Sequence, residues 1–330
     1  MNELQRLVPL PEIWAKLGRV EERLLEASTS DDPYLTKVAQ HLLLAGGKRF
    51  RPLLALLAAE FGPARDDRPV EAGVAVELIH VGSLYHDDVI DEADTRRGAA
   101  SVNVNWSNTV AILAGDYLMA RASEVASIHL SQESVRLLAS TYAELVEGQI
   151  RELQLIDSLD HSISDYERAI GGKTAALIRT ASRLGAMAAD APPDQVEALT
   201  RWAWELGMVF QLADDALDLV ATEETLGKPA GSDIREGKFT LPVLAAVQDE
   251  GGNELRSLLA SPRPYPDEVA DRAIELLRVG GWVDLALDAA LARVSEAHLI
   301  LQSLPDIPAR SVLDGLGRYL VEQVEAERRR

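Results

Sequence analysis

The amino-acid sequence predicts an all-α protein, organised as a single large helical bundle over residues 1–330. Apolar side chains recur at helical spacing through several long segments. Prolines and glycines fall between these segments rather than in one linker, which gives no sign of a domain boundary. The stretch 102–105 is too short to predict a sheet. Since ligand sites in helical bundles form between facing helices, we expect a central cavity.

The predicted helices follow one another along the chain. The segment 52–60 begins with a proline that suits the first turn of a helix and ends near Gly62. The long segment 69–91 carries Val70, Val74 and other apolar residues on one helical face. The remaining predicted helices are 108–130, 132–156, 193–220, 242–248, 266–277, 283–304 and 309–330.

Two segments are predicted to depart from regular helix. Ser164 and Glu167 have the spacing of a capping box, which indicates a helix start. The glycine pair 171–172 is expected to interrupt that helix, so that Lys173 lies at a new helix start. The stretch 226–240, rich in Gly, Lys and Asp, is predicted to be a loop.

The bulk composition excludes several classes of protein. A formal net charge of −20 disfavours nucleic acid and anionic lipid as partners. The absence of cysteine excludes disulfides and thiolate metal sites and fits a cytoplasmic location. No apolar run reaches the roughly 18 residues that predict a membrane span, and residues 1–10 lack the pattern of a secretory signal. Clustered acidic and basic residues instead suggest cations and small anions as ligands.

An Asp-Asp-x-x-Asp pattern occurs twice, at 87–91 and at 214–218. On a helix the outer aspartates of each copy share one face, about 5–6 Å apart. Both copies adjoin apolar sequence, where unpaired carboxylates are costly. Mg²⁺ bound by carboxylates, water and phosphate oxygens offsets that cost. One copy alone is weak evidence in an acidic chain, but two copies facing each other predict several Mg²⁺ ions with a diphosphate between them.

Basic residues lie at predicted helix ends or beside the acidic motifs. They are Lys48, Arg49, Arg51, Arg96, Arg97, Lys173, Lys228 and Lys238. Helix N-termini bind anions, Arg binds phosphate through two parallel hydrogen bonds, and Lys acts as a point charge. Each cation alone is typical of a solvated surface, but their common placement indicates a site for phosphate groups.

The chain resembles the trans-isoprenyl diphosphate synthases, in particular the bacterial polyprenyl diphosphate synthases. The matching stretches span roughly residues 40–245 and occur in the family's order. They are GGKRFRP (46–52), ELIHVGSLYHDDVIDEADTRRG (77–98), AGDYLMARA (114–122), ELVEGQIRELQ (144–154), GGKTAALI (171–178), FQLADDALD (210–218) and GKPAGSDIREGKFTLP (227–242). One departure is Gln149, where many relatives carry an acidic residue.

The resemblance implies an isoprenoid-synthase fold with a central active-site cavity. It also implies Mg²⁺-dependent 1′-4 condensation of isopentenyl diphosphate onto an allylic diphosphate by a homodimer, with about three Mg²⁺ ions per site. The residues implied to bind metal are Asp87, Asp91 and Asp214, supported by Asp88, Asp215 and Asp218. Those implied for the allylic diphosphate or its metals are Arg96, Lys173, Thr174, Gln211, Lys228 and Lys238. Those implied for isopentenyl diphosphate are Lys48, Arg51, His80 and Arg97.

The residues before the first motif set the product length in this family. Gly82 and Ser83 are small, as is Ser123 in the next helix, and Ile79 lies further upstream. Small side chains leave the product tunnel open, which predicts a medium- or long-chain product of about six to ten isoprene units. Tyr85 either lines the tunnel and shortens the product, with geranylgeranyl diphosphate as the competing product, or packs against a neighbouring helix.

Three other functions compete with this interpretation. A non-catalytic partner subunit usually loses an aspartate motif, whereas both are present here. A terpene cyclase typically carries a different second metal motif and lacks the stretch 46–52. A helical scaffold protein predicts no diphosphate release and leaves the placement of the cations unexplained. A lipid diphosphate product would also bring transient membrane contact.

Overall fold

The computed structural model describes residues 3–221 and 230–329, and the all-α prediction is confirmed. The chain divides into two compact units. The first unit comprises Met1–Tyr142, Leu177–Thr200 and Pro305–Ala309, and the second comprises Ala143–Ala176, Arg201–Leu304 and Arg310–Arg330. The single domain over residues 1–330 stays a prediction.

The chain up to residue 155 forms helices and one small hairpin, which lies between α6 and α7. They are α1 Glu3–Leu7, α2 Pro11–Ala27, α3 Pro33–Ala39, α4 His41–Leu44, α5 Phe50–Ala59, α6 Arg68–Ile90, α7 Val102–Asn105, α8 Asn108–His129 and α9 Gln132–Leu155. In the hairpin, β1 Thr95–Arg96 pairs with β2 Ala99–Ala100 in antiparallel register, with Thr95 opposite Ala100.

The remaining helices follow after residue 162. They are α10 Ile163–Ile170, α11 Ala176–Ala188, α12 Pro193–Val220, α13 Ser232–Arg235, α14 Leu241–Gln248, α15 Asn253–Leu259, α16 Asp267–Val279, α17 Trp282–Leu301 and α18 Pro308–Arg328. No helix within residues 3–221 and 230–329 is both long and apolar enough to cross a membrane.

The helices that were predicted agree with the structure to within a few residues, but α2 was not predicted and three local predictions were wrong. The capping box at the start of α10 is formed by Ser162 and Asp165, not by Ser164 and Glu167. Aspartate at this position closes the box as glutamate would, so the helix starts earlier. Within the predicted loop 226–240, the described residues 230–240 include the single turn α13.

The glycine pair after α10 does not break the helix. The segment Gly171–Ala175 is π-helical and connects α10 directly to α11. Lys173 therefore lies inside a continuous helical path and not at a helix N-terminus, which corrects the prediction. A π-turn adds one residue to a helical turn, so it shifts the side-chain directions of the residues that follow.

Helix α6 is the centre of the first unit. Its residues 69–79 are buried on every side, and it packs against α2, α5 and α8. Near its C-terminal end α6 approaches α8 closely, since a Cβ at Gly82 would lie 3.0 Å from the carbonyl oxygen of Gly115. This packing fixes the helix that carries the first acidic motif.

Helix α12 has the corresponding place in the second unit. Leu212, Ala216 and Leu219 share one face and join the buried residues of α14, α16 and α17 in a single core. Asp214 lies off this face and is exposed. Packing against this core therefore fixes which face of α12, the helix of the second acidic motif, is exposed.

Candidate active site

The first acidic motif occupies the last turn of α6 and continues to the residue after it. Asp87 is half-buried, Asp88 is fully buried and Asp91 is exposed. Nε of Arg96, in β1, donates a hydrogen bond to Oδ1 of Asp88 at 2.7 Å. Burial raises the pKa of Asp88, and Arg96 opposes that shift. The middle aspartate is therefore used to hold the hairpin, whereas the outer two retain exposed surface.

A basic loop, defined here as residues 45–49, connects α4 to α5. Its backbone takes φ values of 94° at Gly46, 144° at Gly47 and 47° at Arg49, a region that favours glycine. Nη1 of Arg97, which follows β1, donates a hydrogen bond to the carbonyl oxygen of Gly46 at 2.6 Å. The loop is thus tied to the hairpin beside the first motif.

Glu77, on the buried face of α6, is a counter-ion for this group of cations. Its Oε1 lies 3.2 Å from Nη1 of Arg49 and 3.7 Å from Nη2 of Arg97. Burial raises the pKa of Glu77, and the surrounding guanidinium groups oppose that shift. One buried carboxylate therefore neutralises part of a larger positive charge.

Arg51 and His80 belong to the same basic cluster. Nε of Arg51 is buried and has no hydrogen-bond partner in the part of the chain that the structure describes. Burial lowers the pKa of Arg51 to about 10, so the side chain stays charged at neutral pH. Burial and the nearby arginines hold the pKa of His80 well below its usual range, so its ring is neutral. An anion bound here would supply the partner that Arg51 lacks.

The residues predicted to set product length have different surroundings. Ile79 is buried in α6, and Gly82 faces α8. Ser83 is partly buried, and its hydroxyl donates a hydrogen bond to the carbonyl oxygen of His80 at 2.9 Å. Ser123 is exposed on α8, where its hydroxyl bonds within its own helix.

Tyr85 is fully buried between α6 and the chain that carries α3 and α4. Its hydroxyl donates a hydrogen bond to the carbonyl oxygen of Val38 at 2.8 Å and accepts one from the backbone N–H of Leu42 at 3.3 Å. Burial raises the pKa of Tyr85. These bonds place its polar end against a neighbouring helix, the second of the two expected positions.

The second acidic motif also has a buried middle aspartate. Asp215 accepts hydrogen bonds from the hydroxyl of Tyr166 at 2.5 Å and from Nε2 of Gln211 at 2.7 Å. Oε1 of Gln211 accepts in turn from the hydroxyl of Thr174 at 2.7 Å. Burial raises the pKa of Asp215 to about 7, and these donors oppose the shift. The network fixes Gln211 and Asp215, and Asp214 beside them is exposed.

Asp218, the last residue of the second motif, is buried and holds the following turn. Its Oδ2 accepts a hydrogen bond from the backbone N–H of Asp233 at 3.2 Å, and its carbonyl oxygen accepts one from Gly231 at 2.8 Å. Lys238 follows this turn, and its Nζ lies 2.8 Å from Glu236. The predicted ligand Lys228 lies outside the described residues.

Lys173 is held by an acidic residue that the sequence prediction did not select. Its Nζ donates a hydrogen bond to Oε2 of Glu152 at 2.5 Å. Gln149, one turn earlier on α9, donates to the same oxygen at 3.3 Å. Glu152 is therefore the acceptor shared by Gln149 and Lys173. Gly148 permits this arrangement, since a Cβ there would lie 2.3 Å from the backbone nitrogen of Lys173.

These groups line a cavity of about 210 Å³ in the second unit. Its polar lining includes Glu152, Lys173, Gln211, Asp214, Asp233 and Lys238. Phe239 and Ile170 add apolar surface. Two cations and several carboxylates in one cavity can bind a phosphate group together with a divalent cation.

The sequence prediction missed several members of this cavity, among them Glu152, Asp233 and Tyr166. Glu152 and Asp233 lie inside stretches that carried the family resemblance, so a signal for them was present. Tyr166 lies between those stretches, and only its place on the buried face of α10 pointed to it. Its contact with Asp215 arises from tertiary packing between residues 49 positions apart.

Neither motif forms a metal cage by itself. Within residues 3–221 and 230–329, no group of three or more Asp, Glu or His side chains is close enough to enclose a metal ion.

Acidic helix ends accompanied by basic clusters of this kind fit the diphosphate chemistry of a helical prenyltransferase. The sequence model of the polyprenyl synthetase family matches residues 32–277, and the chain belongs to this family, the trans-isoprenyl diphosphate synthases.

The relatives agree with this assignment. The chain is 42% identical to the nonaprenyl diphosphate synthase of Mycobacterium tuberculosis, over 94% of this chain and 92% of that protein. The polyprenyl synthase of Caulobacter crescentus, solved with calcium and isoprenyl diphosphate, matches with a TM-score of 0.90 at 36% identity, covering 97% of each chain. The geranylgeranyl pyrophosphate synthase of Corynebacterium glutamicum, also solved with calcium and isoprenyl diphosphate, matches with a TM-score of 0.84 at 40% identity, covering 95% of this chain and 96% of that one.

Proposed function

We propose that the protein condenses isopentenyl diphosphate onto an allylic diphosphate in a Mg²⁺-dependent 1′-4 reaction and makes a medium- or long-chain all-trans polyprenyl diphosphate. The observation that carries the proposal is that each acidic motif contains both a buried, hydrogen-bonded aspartate and an exposed one. Asp88 and Asp215 are buried and hydrogen-bonded to protein groups. Asp91 and Asp214 are exposed, and Asp214 lines a cavity together with Lys173 and Lys238. Exposed carboxylates next to cations are suited to a metal diphosphate.

Asp87 and Asp91 would hold two Mg²⁺ ions and Asp214 a third. Mg²⁺ commonly takes only one or two carboxylates and completes its octahedron with water and phosphate oxygens. The exposed side chains fit this requirement, and the buried Asp88, Asp215 and Asp218 support them from behind. When bound, the metal ions would neutralise charge on the leaving diphosphate.

The allylic diphosphate would be bound by the basic and amide side chains around the second motif. Lys173 and Lys238 line the cavity with Gln211. Each lysine now pairs with an acidic residue, Lys173 with Glu152 and Lys238 with Glu236, and phosphate oxygens would compete for these ammonium groups. Thr174 would act by fixing Gln211, and Arg96 and Lys228 would contribute further charge.

Isopentenyl diphosphate would be bound by Lys48, Arg51, His80 and Arg97. The charged Arg51 supports this assignment because its buried Nε has no partner in the described part of the chain. A neutral His80 is suited to donate a hydrogen bond to a phosphate oxygen. Lys48, at the exposed tip of the basic loop, would close over the anion.

The reaction follows from this placement. The bond between C1 of the allylic chain and the diphosphate oxygen breaks, and the diphosphate leaves with both electrons. The double bond of isopentenyl diphosphate, held alongside, attacks the allylic cation and forms the new C–C bond. A proton then leaves the condensed product for the released diphosphate, so no side-chain base is required. Lys173 and Lys238 would stabilise the charge that develops on the leaving group.

The product is proposed to contain about six to ten isoprene units, set by the tunnel depth below the first motif. The small, partly buried Ser83 supports an open tunnel, whereas the space beside Gly82 is filled by α8. The hydrogen bonds of Tyr85 to α3 and α4 support a packing role and not that of a tunnel floor. Geranylgeranyl diphosphate is the second candidate product, because a relative of similar identity bears that name.

The assembly is proposed to be a cytoplasmic homodimer that touches membranes only through its lipid product. Exposed apolar side chains on α8 support a partner surface: Ile112 is 44% exposed, Leu113 60% and Ile128 66%. Light scattering on the purified protein tests the dimer directly.

Release of diphosphate from isopentenyl and farnesyl diphosphates in the presence of Mg²⁺ tests the proposed reaction. Asp87→Ala and Asp214→Ala should each lower kcat at least 100-fold. Asp284→Ala removes an exposed ion pair between Asp284 on α17 and Arg328 on α18. This control should change kcat less than twofold. Equal rates in all four proteins would reject the reaction.

A further inference from the structure

Helix α2 lies outside the part of the chain that the family model matches, which begins at residue 32. It nevertheless reaches the basic loop. Oε1 and Oε2 of Glu21 accept hydrogen bonds from Nε and Nη2 of Arg49, at 2.7 Å and 2.9 Å. This paired geometry fixes both the position and the orientation of a guanidinium group.

Arg49 uses its whole guanidinium group inside the protein. Nη1 donates to Oε1 of Glu77 and to the carbonyl oxygen of Gly46, each at 3.2 Å. Nη2 also donates to the carbonyl oxygen of Leu43 at 2.8 Å. Together with the bonds to Glu21, this occupies the five N–H donors that an arginine has. Arg49 is therefore not available to bind a phosphate group.

The backbone of Arg49 shows why such anchoring is needed. Its φ of 47° lies in the left-handed region, which a residue with a side chain adopts only when its surroundings hold it there. It is also the residue that precedes α5. Lys48 and Arg51 lie on either side, so the conformation at Arg49 sets the directions of both flanking cations.

Of the two glutamates that bind Arg49, Glu21 is the one that can be substituted with less damage to the fold. The side chain of Glu77 is 2% exposed and also faces Arg97, whereas that of Glu21 is 45% exposed. Removing the charge at Glu77 would take a buried counter-ion from Arg49 and Arg97 together. Removing it at Glu21 should loosen the loop and leave the fold intact.

We propose that Glu21 is a positioning residue for the diphosphate of isopentenyl diphosphate, acting through Arg49 to hold Lys48 and Arg51 in their binding directions. The proposal rests on the proposed function, in which those two cations bind that diphosphate. It makes α2 part of the substrate site and not only a packing helix. An alternative role, in which the pair merely stabilises α2, predicts a lower melting temperature with unchanged kinetics.

Steady-state kinetics of Glu21→Gln separate these roles. The amide keeps the size of the side chain but loses its charge and one acceptor oxygen. We expect KM for isopentenyl diphosphate to rise about five- to tenfold, with kcat and KM for farnesyl diphosphate within twofold of the wild-type values. Glu26→Gln is the matched control, because it removes an ion pair with Arg23 on the same helix, away from the loop, and should change no kinetic constant beyond twofold.

An unchanged KM for isopentenyl diphosphate in Glu21→Gln, or an equal rise in both KM values, would overturn the inference. If that variant does not fold, Glu21→Asp replaces it, because the shorter side chain draws the carboxylate back from Arg49. The same two results in Glu21→Asp would overturn the inference. The wild-type protein separates the two levels of the argument. Absence of condensation by wild type rejects the proposed function, whereas an active wild type with an unaffected Glu21→Gln rejects only the role of Glu21.

Discussion

Two arginines in one short stretch carry out opposite tasks. Arg49 has its donors satisfied by protein acceptors, whereas Nε of Arg51 is buried without a partner among the described residues. Burying an unpaired polar group costs free energy, so such a group in a native structure calls for an explanation. A diphosphate bound at Arg51 provides one.

Arg51→Lys tests this explanation. Lysine keeps the charge but loses the planar fork that binds two oxygens at once. We expect KM for isopentenyl diphosphate to rise about 10- to 100-fold, while KM for the allylic substrate stays within twofold. Arg65→Lys is the control, since Arg65 donates only to backbone carbonyl oxygens at the surface. A uniform change in both KM values would argue against a specific anion site at Arg51.

Tyr85 provides a second test at the residue scale. Tyr85→Phe removes the hydrogen bonds to Val38 and Leu42 and leaves the ring in place. Because both backbone groups are buried, the free energy of unfolding should fall by about 1–2 kcal/mol. Tyr117→Phe loses one exposed bond to Thr29 and should cost less than about 0.5 kcal/mol. Denaturant unfolding measures both, and equal costs would contradict the packing role.

Spacing predicted the acidic residues, whereas their separate roles were implied only by the family resemblance. Spacing alone marks Asp87, Asp88 and Asp91 as one cluster. Which of them is buried depends on Arg96, eight positions away, and the corresponding partner of Asp215 is 49 positions away. Contacts of this kind are products of tertiary packing, and local sequence patterns carry no record of them.

At the scale of elements, helix periodicity predicted the long helices well because their apolar faces extend over many turns. The junction between α10 and α11 was harder. Two glycines usually indicate a break, yet here they let a π-helical segment pass close to α9. The close approach of Gly172 to Gly148, and of Gly171 to the ring of Trp204, accounts for the two glycines.

Gly148→Ala tests that account. Its Cβ would lie 2.3 Å from the backbone nitrogen of Lys173, so α9 and the π-helical segment must separate. We expect kcat to fall at least tenfold and the free energy of unfolding to drop by about 1–3 kcal/mol. Gly18→Ala, in an open position on α2, should instead stabilise the protein by about 0.5–1 kcal/mol. Similar effects of the two changes on activity and unfolding would refute the close-packing explanation.

At the scale of the whole molecule, each unit contributes one acidic motif and its own cations. The first unit holds the basic loop and Arg51, and the second holds Lys173 and Lys238 around a cavity. The repeat of one motif on two helices was the feature that sequence alone identified best. The number of bound metal ions depends on oxygen ligands from substrate and water as well as on the protein. Sequence spacing therefore predicted several ions without fixing their number.

Removal of divalent cations should abolish activity in full. In the proposed reaction, water and diphosphate oxygens complete the coordination of ions bound by the carboxylates. EDTA should therefore reduce condensation to background, and excess Mg²⁺ should restore it. The free Mg²⁺ concentration that gives half-maximal activity should fall when the concentration of the diphosphate substrate is raised. Activity that survives EDTA would contradict the metal-dependent reaction.

The most direct measurement is the length of the product. The purified protein is incubated with Mg²⁺, isopentenyl diphosphate and farnesyl diphosphate, and the dephosphorylated products are sized by mass spectrometry. The account predicts all-trans polyprenols of about six to ten isoprene units, none of which appear with Asp87→Ala. Failure of the wild-type protein to elongate farnesyl diphosphate at all, like the variant, would contradict it.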